Sequence, residues 1–124
     1  MKRSILIVED SATMRSLIAS TLEDLGDYEI TEAASGFEAL KILPGHAFDL
    51  IITDINMPDI NGLELINFVK KHPTYNDTPL IIVTTEKSDE DRKKGMALGA
   101  NEYITKPFTA EELQDAVKKL IEEE

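Results

Sequence analysis

The chain alternates short apolar runs with longer stretches in which apolar residues return every three or four positions. The runs are Ile5–Val8, Tyr28–Ala33, Leu50–Thr53, Leu80–Thr84 and Glu102–Thr105, and their length and β-branched content predict strands. The periodic stretches predict helices. Met14, Leu17, Ile18, Leu22 and Leu25 form the first apolar face, and Gly26 stops it. Phe37, Leu40 and Leu43 form a second, ended by Pro44-Gly45, and Leu63, Ile66 and Val69 a third, ended by His72-Pro73. A fourth helix runs from about Asp89 to Leu98 and stops at Gly99; the last carries Leu113, Ala116, Val117, Leu120 and Ile121. Ser35-Gly36-Phe37-Glu38 and Thr109-Ala110-Glu111-Glu112 fit capping boxes, with Ser88 and Asp91 a weaker version.

Strands alternating with helices in this way predict an α/β fold built on a doubly wound, mostly parallel five-stranded sheet with five helices. The runs at Ile5–Val8, Leu50–Ile52 and Leu80–Val83 are continuously apolar, as strands covered on both faces must be. The second strand interleaves Glu29, Thr31 and Glu32, and the fifth is short and mixed; both suit sheet edges. The order 2-1-3-4-5 satisfies these constraints with right-handed crossovers.

Composition narrows the picture. The 124 residues suit one domain, so residues 1–124 are expected to form a single unit with no output module. No apolar run approaches the roughly 20 residues of a membrane span. Met1-Lys2-Arg3 before Ile5–Val8 resembles a leader only faintly, because the apolar stretch ends at Glu9-Asp10; it reads as a first strand of a cytoplasmic protein. The absence of cysteine excludes disulfides, thiolate catalysis and Cys-ligated zinc, and His46 and His72 are too few for a histidine metal site. A net charge of −11 disfavours nucleic acid as a partner. Most of this charge, including Glu122-Glu123-Glu124, reads as solvated surface. Met57, Phe48, Phe68 and Phe108 read as packing residues.

The candidate chemistry lies at the carboxyl ends of the strands, where open α/β sheets bind ligands. The first strand delivers Glu9-Asp10, the third Asp54, the fourth Thr84-Thr85, and the fifth leads to Lys106-Pro107. With strands one and three adjacent, Asp10 and Asp54 face each other across one crevice, with Glu9 beside them. Three carboxylates together repel unless a cation offsets them. Mg²⁺ suits the task, since it takes oxygen ligands at roughly 2.0–2.1 Å and pairs carboxylates with a substrate phosphate. Lys106 and the Thr84 hydroxyl then offer a phosphoryl group a cation and a donor. Each residue alone reads as turn, cap or surface chemistry; their conjunction carries the signal.

The segments Ile5-Leu6-Ile7-Val8-Glu9-Asp10-Ser11, Asp54-Ile55-Asn56-Met57-Pro58-Asp59-Ile60-Asn61-Gly62, Val83-Thr84-Thr85 and Tyr103-Ile104-Thr105-Lys106-Pro107-Phe108 resemble the response-regulator receiver family in its chemotaxis-type, single-domain form, from Ile5 to Ile121. The resemblance implies the flavodoxin-like fold. It implies that Asp54 is the phosphorylated aspartate, Asp10 a direct Mg²⁺ ligand, Glu9 an acidic neighbour acting through water, and the Asn56 backbone carbonyl a further ligand. Thr84 matches the hydroxyl that moves toward the phosphoryl group, Lys106 its ion-pair partner and Tyr103 the aromatic switch. Asn56 and Glu86 match positions that tune hydrolysis of the acyl phosphate. Thr85 departs from the family's usual small residue, which bears on donor access and phosphate lifetime. The implied partners are a sensor histidine kinase or phosphotransfer protein, and an output protein such as a flagellar motor switch or chemotaxis component. That partner would read the face of helix four, strand five and helix five on a monomer that is not a turnover enzyme.

Three rivals differ in single features. A haloacid-dehalogenase-type phosphatase wants a second aspartate where Asn56 stands. A flavodoxin-like cofactor binder needs a Gly- and hydroxyl-rich loop where Glu9-Asp10 stands. A phosphorylation-independent receiver-like interaction module does not need the acceptor, lysine and hydroxyl that are all in place. Rossmann and P-loop glycine fingerprints are absent.

Overall fold

The protein is described from a computed structural model covering residues 2–85 and 89–121. The strands are β1 (Arg3–Val8), β2 (Tyr28–Ala33), β3 (Leu50–Thr53), β4 (Leu80–Thr84) and β5 (Glu102–Thr105). They alternate with α1 (Ala12–Leu25), α2 (Gly36–Ile42), α3 (Gly62–Lys71), α4 (Asp89–Leu98) and α5 (Ala110–Ile121). All strand pairs are parallel and the order is β2-β1-β3-β4-β5, as the distribution of polar residues among the strands predicts. β1 begins at Arg3, earlier than its apolar run, because Arg3 and Ser4 pair with Tyr28 and Glu29 of β2.

Side chains alternate between the two faces of each strand. Leu6, Val8, Ile51 and Ile82 pack on one face with Ala39 of α2 and Leu65, Ile66 and Val69 of α3. Ile5, Ile7, Leu50, Ile52, Ile81 and Val83 pack on the other with Ile18 and Leu22 of α1 and Leu113, Val117 and Ile121 of α5. Burying each such side chain contributes about 1.5–3 kcal/mol, so these two layers dominate the fold's stability. The helix α4 differs: among its described residues only Gly95 is buried, and a Cβ there would lie 2.5 Å from Ile82 Cδ1.

The Thr109–Glu112 box is complete, each residue's side chain accepting the other's backbone N–H at 3.0–3.1 Å. Ser35 Oγ accepts the Glu38 N–H, and Ser11 and Asn61 cap α1 and α3 in the same manner. Two residues assigned to apolar faces do not enter the core. Leu17 is 48% exposed and Phe37 is 61% exposed. Phe37 sits at the second position of α2, where the contact with the neighbouring loop is made by Gly36 instead: a Cβ on Gly36 would lie 2.8 Å from Ile60. Met57 and Phe48 are buried, whereas Phe68 stays partly exposed against the rings of His72 and Tyr75. Glu86, Ser88 and Glu122-Glu123-Glu124 lie outside the described residues.

Candidate functional site

The parallel ladder continues past the ends of the strands and sets the first polar residues rigidly. The Glu9 N–H donates to Ala33 O at 3.0 Å, the Asp54 N–H to Val8 O at 3.1 Å, and the Lys106 N–H to Thr84 O at 2.9 Å. Glu9, Asp54 and Lys106 are thereby held by sheet backbone rather than by mobile loop.

Their side chains meet. Lys106 Nζ donates to Glu9 Oε1 at 2.6 Å and to Asp54 Oδ2 at 3.0 Å, and all three residues are buried. The remaining carboxylate oxygens are also engaged. Asp54 Oδ1 accepts the N–H groups of Ile55 (2.6 Å) and Asn56 (3.3 Å), and Glu9 Oε2 accepts the Ser11 N–H at 3.0 Å. Such charge-assisted bonds are about twice as strong as neutral ones, which makes the burial of these charges tolerable.

Burial pushes the Glu9 carboxyl above its ordinary value, against the opposing pull of Lys106 and the Ser11 N–H. Burial would lower Lys106, but its bonds to Glu9 and Asp54 outweigh it and hold the ammonium above its usual value. The direction that governs the pair is the lysine's, because two carboxylates converge on one cation. Lys106 is charged.

Asp10 stands exposed at the mouth of the site. Glu9, Asp10 and Asp54 each present a carboxylate oxygen, all within 4.8 Å of one another. Three carboxylates against one ammonium leave a surplus of two negative charges. An all-oxygen donor set with that surplus and an open, solvated side fits a hard divalent cation such as Mg²⁺.

Of the other residues expected at the site, Thr84 is fully buried at the end of β4, with its carbonyl tied to Lys106. Thr85 and Asn56 are exposed beside it and beside Asp54 respectively. Tyr103 is not in the carboxylate cluster. It lies within β5 opposite Ile82, half-buried against the α2–α3 layer.

Sequence reasoning missed three supports. Arg15 reaches back from α1 to donate to the Glu9 carbonyl (Nη1, 2.8 Å) while its Nε pairs with Glu32 at 3.1 Å, tying the acidic turn to β2. Gly62 donates to Ile55 O at 2.8 Å and packs directly on the Asp54 carbonyl. Asp59 accepts N–H groups from the start of α2. Only Gly62 left a sequence signal, a glycine ending the Asp54 segment.

Residues 5–118 match the family profile described as the response regulator receiver domain. The chain belongs to that family. This receiver domain is 40% identical over 118 residues to a chemotaxis protein CheY homolog of Campylobacter jejuni, covering 94% of this chain and 91% of the relative. The solved structure of the chemotaxis response regulator CheY4 of Vibrio cholerae superposes with a TM-score of 0.88 at 37% identity, covering 97% of this chain and 99% of that one. The receiver domain of the sensor histidine kinase PA1611 from Pseudomonas aeruginosa, with a magnesium ion coordinated in its active site cleft, has a TM-score of 0.88 at 28% identity over 99% of this chain and 100% of that one. The chain is thus a receiver domain of the CheY type, a signalling component of two-component systems rather than a substrate-turnover enzyme.

Proposed function

We propose that this receiver accepts a phosphoryl group on Asp54 from a phosphohistidine of a sensor kinase or phosphotransfer protein, with Mg²⁺ held by Glu9, Asp10, Asp54 and the Asn56 carbonyl. The observation that carries the reading is the buried Asp54 carboxylate, held 3.0 Å from the Lys106 ammonium and within 4.8 Å of two further acids. Bound Mg²⁺ supplies positive charge that the transferring phosphoryl oxygens need. The Asp54 oxygen forms the new bond to phosphorus as the donor's P–N bond breaks, and the donor imidazole leaves with the electron pair. The Ile55 and Asn56 N–H groups orient the nucleophile through Oδ1. Lys106 already sits against Asp54 and neutralises charge on the incoming group. The hydroxyl of Thr84 then turns toward the new phosphoryl oxygens, and Tyr103 follows inward.

This change is read on the face of α4, β5 and α5, where a cleft of about 320 Å³ is lined by Glu102, Tyr103, Ile104, Asp115, Ala116 and Lys119. A separate output protein, of the chemotaxis kind that the Campylobacter relative's name indicates, is the reader. Residues 1–124 act as one receiver unit, a cytoplasmic monomer without nucleic-acid contacts, in keeping with the net charge of −11. No helix among the described residues is long and apolar enough to cross a membrane.

The test is intact-mass measurement after incubation with acetyl phosphate. One added phosphoryl mass is expected with Mg²⁺ and none with EDTA; absence of labelling in both favours a phosphorylation-independent interaction module. A companion prediction concerns the surplus charge. Saturating Mg²⁺, at about 100 times its Kd, should stabilise the fold by about 2.7 kcal/mol, seen as a rise in Tm. Asp10→Asn should raise the metal-free Tm by relieving carboxylate repulsion and should remove most of the Mg²⁺ response. An unchanged Tm in both experiments would eliminate the metal site.

A further inference from the structure

The turn between β3 and α3, residues 55–61, follows the acceptor and supplies both N–H groups that hold Asp54 Oδ1. Its base is closed by the Gly62 N–H on Ile55 O. Its outer part is fixed by a single carboxylate side chain. Asp59 reaches across to α2, where Oδ1 accepts the Gly36 N–H at 3.3 Å and Oδ2 accepts the Phe37 N–H at 2.9 Å. Foremost the Phe37 N–H, then those of Ile60 and Gly36, hold the Asp59 carboxyl below its ordinary value. The next N–H of α2, that of Glu38, is taken by Ser35, so the helix's first three donors are all committed. Behind the polar contact is a steric one. Gly36 packs so closely on Ile60 that a Cβ would sit 2.8 Å from both the Ile60 Cβ and its carbonyl oxygen. The helix that receives these contacts is itself anchored by Ala39 and Leu43, which are fully buried.

We propose that Asp59 is a positioning residue for phosphoryl transfer: by bonding to the first turn of α2 it holds the β3–α3 turn in the place from which Ile55 and Asn56 orient the Asp54 carboxylate. Its relevance to transfer rests on the reading of Asp54 as the acceptor. Asp59 touches no reacting atom. Its effect runs through the turn, whose base stays closed by Gly62 while its outer part depends on α2. Ile55 and Met57 also bury their side chains in the core, so Asp59 is the tie of the turn's outer, exposed part. A turn released there opens locally more often, and amide hydrogen exchange measures that opening. A side chain that merely capped α2 would change exchange in α2 and leave the acceptor turn untouched.

The test is residue-resolved hydrogen exchange on the metal-free full chain. In Asp59→Ala the Ile55 and Asn56 amides should exchange about tenfold faster while amides of β1 and β4 keep their rates. Asp59→Asn keeps one accepting oxygen for the shorter Phe37 bond and gives up only the 3.3 Å bond to Gly36, so it should stay within roughly threefold of wild type. Gly36→Ala should reproduce the faster exchange from the steric side. In the same variants the Mg²⁺ Kd measured by calorimetry should weaken about threefold for Asp59→Ala and change little for Asp59→Asn. Faster exchange confined to α2, or equal acceleration throughout the chain, overturns the proposal. The exchange measurement involves neither metal nor phosphate, so it decides the role of Asp59 in the turn even if wild-type protein takes no phosphoryl group. Labelling of the wild type decides the acceptor reading separately.

Discussion

Asp54→Asn is expected to abolish phosphoryl incorporation from acetyl phosphate, with intact mass unchanged under conditions that label the wild type. The argument is chemical as well as geometric. The substitution replaces an anionic oxygen nucleophile by a neutral amide whose nitrogen carries no available lone pair. The oxygen of that amide can still accept the N–H groups of Ile55 and Asn56, as Asp54 Oδ1 does, so the turn has no reason to unfold. The second arm is where the change bites: an amide NH₂ can replace Oδ2 3.0 Å from the Lys106 ammonium, setting donor against donor. Lys106 then keeps Glu9 as its partner at 2.6 Å. The variant should therefore stay folded, which a ¹H–¹⁵N spectrum checks, while losing the acceptor entirely. Label retained in this variant would move the acceptor to another residue.

The largest stability effect is expected at Gly62. A Cβ there would lie 2.0 Å from the Asp54 carbonyl oxygen and 2.8 Å from the Asp54 carbonyl carbon and Ile55 Cα. The three nearest atoms are all backbone, two of them in Asp54, the proposed acceptor. Either the first turn of α3 or the Asp54 peptide must shift, and the Gly62–Ile55 hydrogen bond at 2.8 Å stretches in both cases. Gly62→Ala should cost about 3 kcal/mol, at the upper end of overpacking effects. For a chain of this size that is a Tm fall of roughly 10 °C in thermal melting. Phosphoryl acceptance should fall with it. Gly45→Ala is the control: its φ of 86° is unfavourable for alanine, but nothing lies within 4 Å of the added Cβ. That variant should cost only about 1 kcal/mol. Equal effects at the two glycines would contradict the close approach at Gly62.

The contrast between these glycines also marks what a sequence can disclose. Strand order was legible because apolar continuity reports burial on both faces, and β1, β3 and β4 have it while β2 and β5 do not. Convergence of Glu9, Asp10, Asp54 and Lys106 followed from strand order alone, since a parallel sheet brings the ends of its strands to one side. The failures have a common physical origin. Phe37 has the identity and spacing of a core residue, but its exposure depends on where α2 meets a turn more than 20 residues away in sequence. Asp59 shows nothing of its role in the sequence because its partners lie outside the turn. Arg15 stands out in no pattern of the sequence, and only the path of the β1–α1 turn puts a carbonyl within its reach. Periodicity reports the average environment of an element; it carries no information about which backbone group a polar side chain finds across a gap.

α4 behaves differently from the rest of the structure. A helix that sets one glycine against Ile82, and keeps most of its described length polar, is seated by fit more than by grease. With Gly95 its one buried residue and Leu98 partly buried against the core, α4 has less of its own surface to lose on sliding or turning than α1, α3 or α5, so neighbouring seats on the sheet are separated by less burial energy. A tenfold bias between two such seats takes only about 1.4 kcal/mol, within reach of a single rearranged charge. Enlarging the foothold should tighten the seat: an added methyl at Gly95 must first displace Ile82 Cδ1, and once lodged it would leave the helix fewer places to rest.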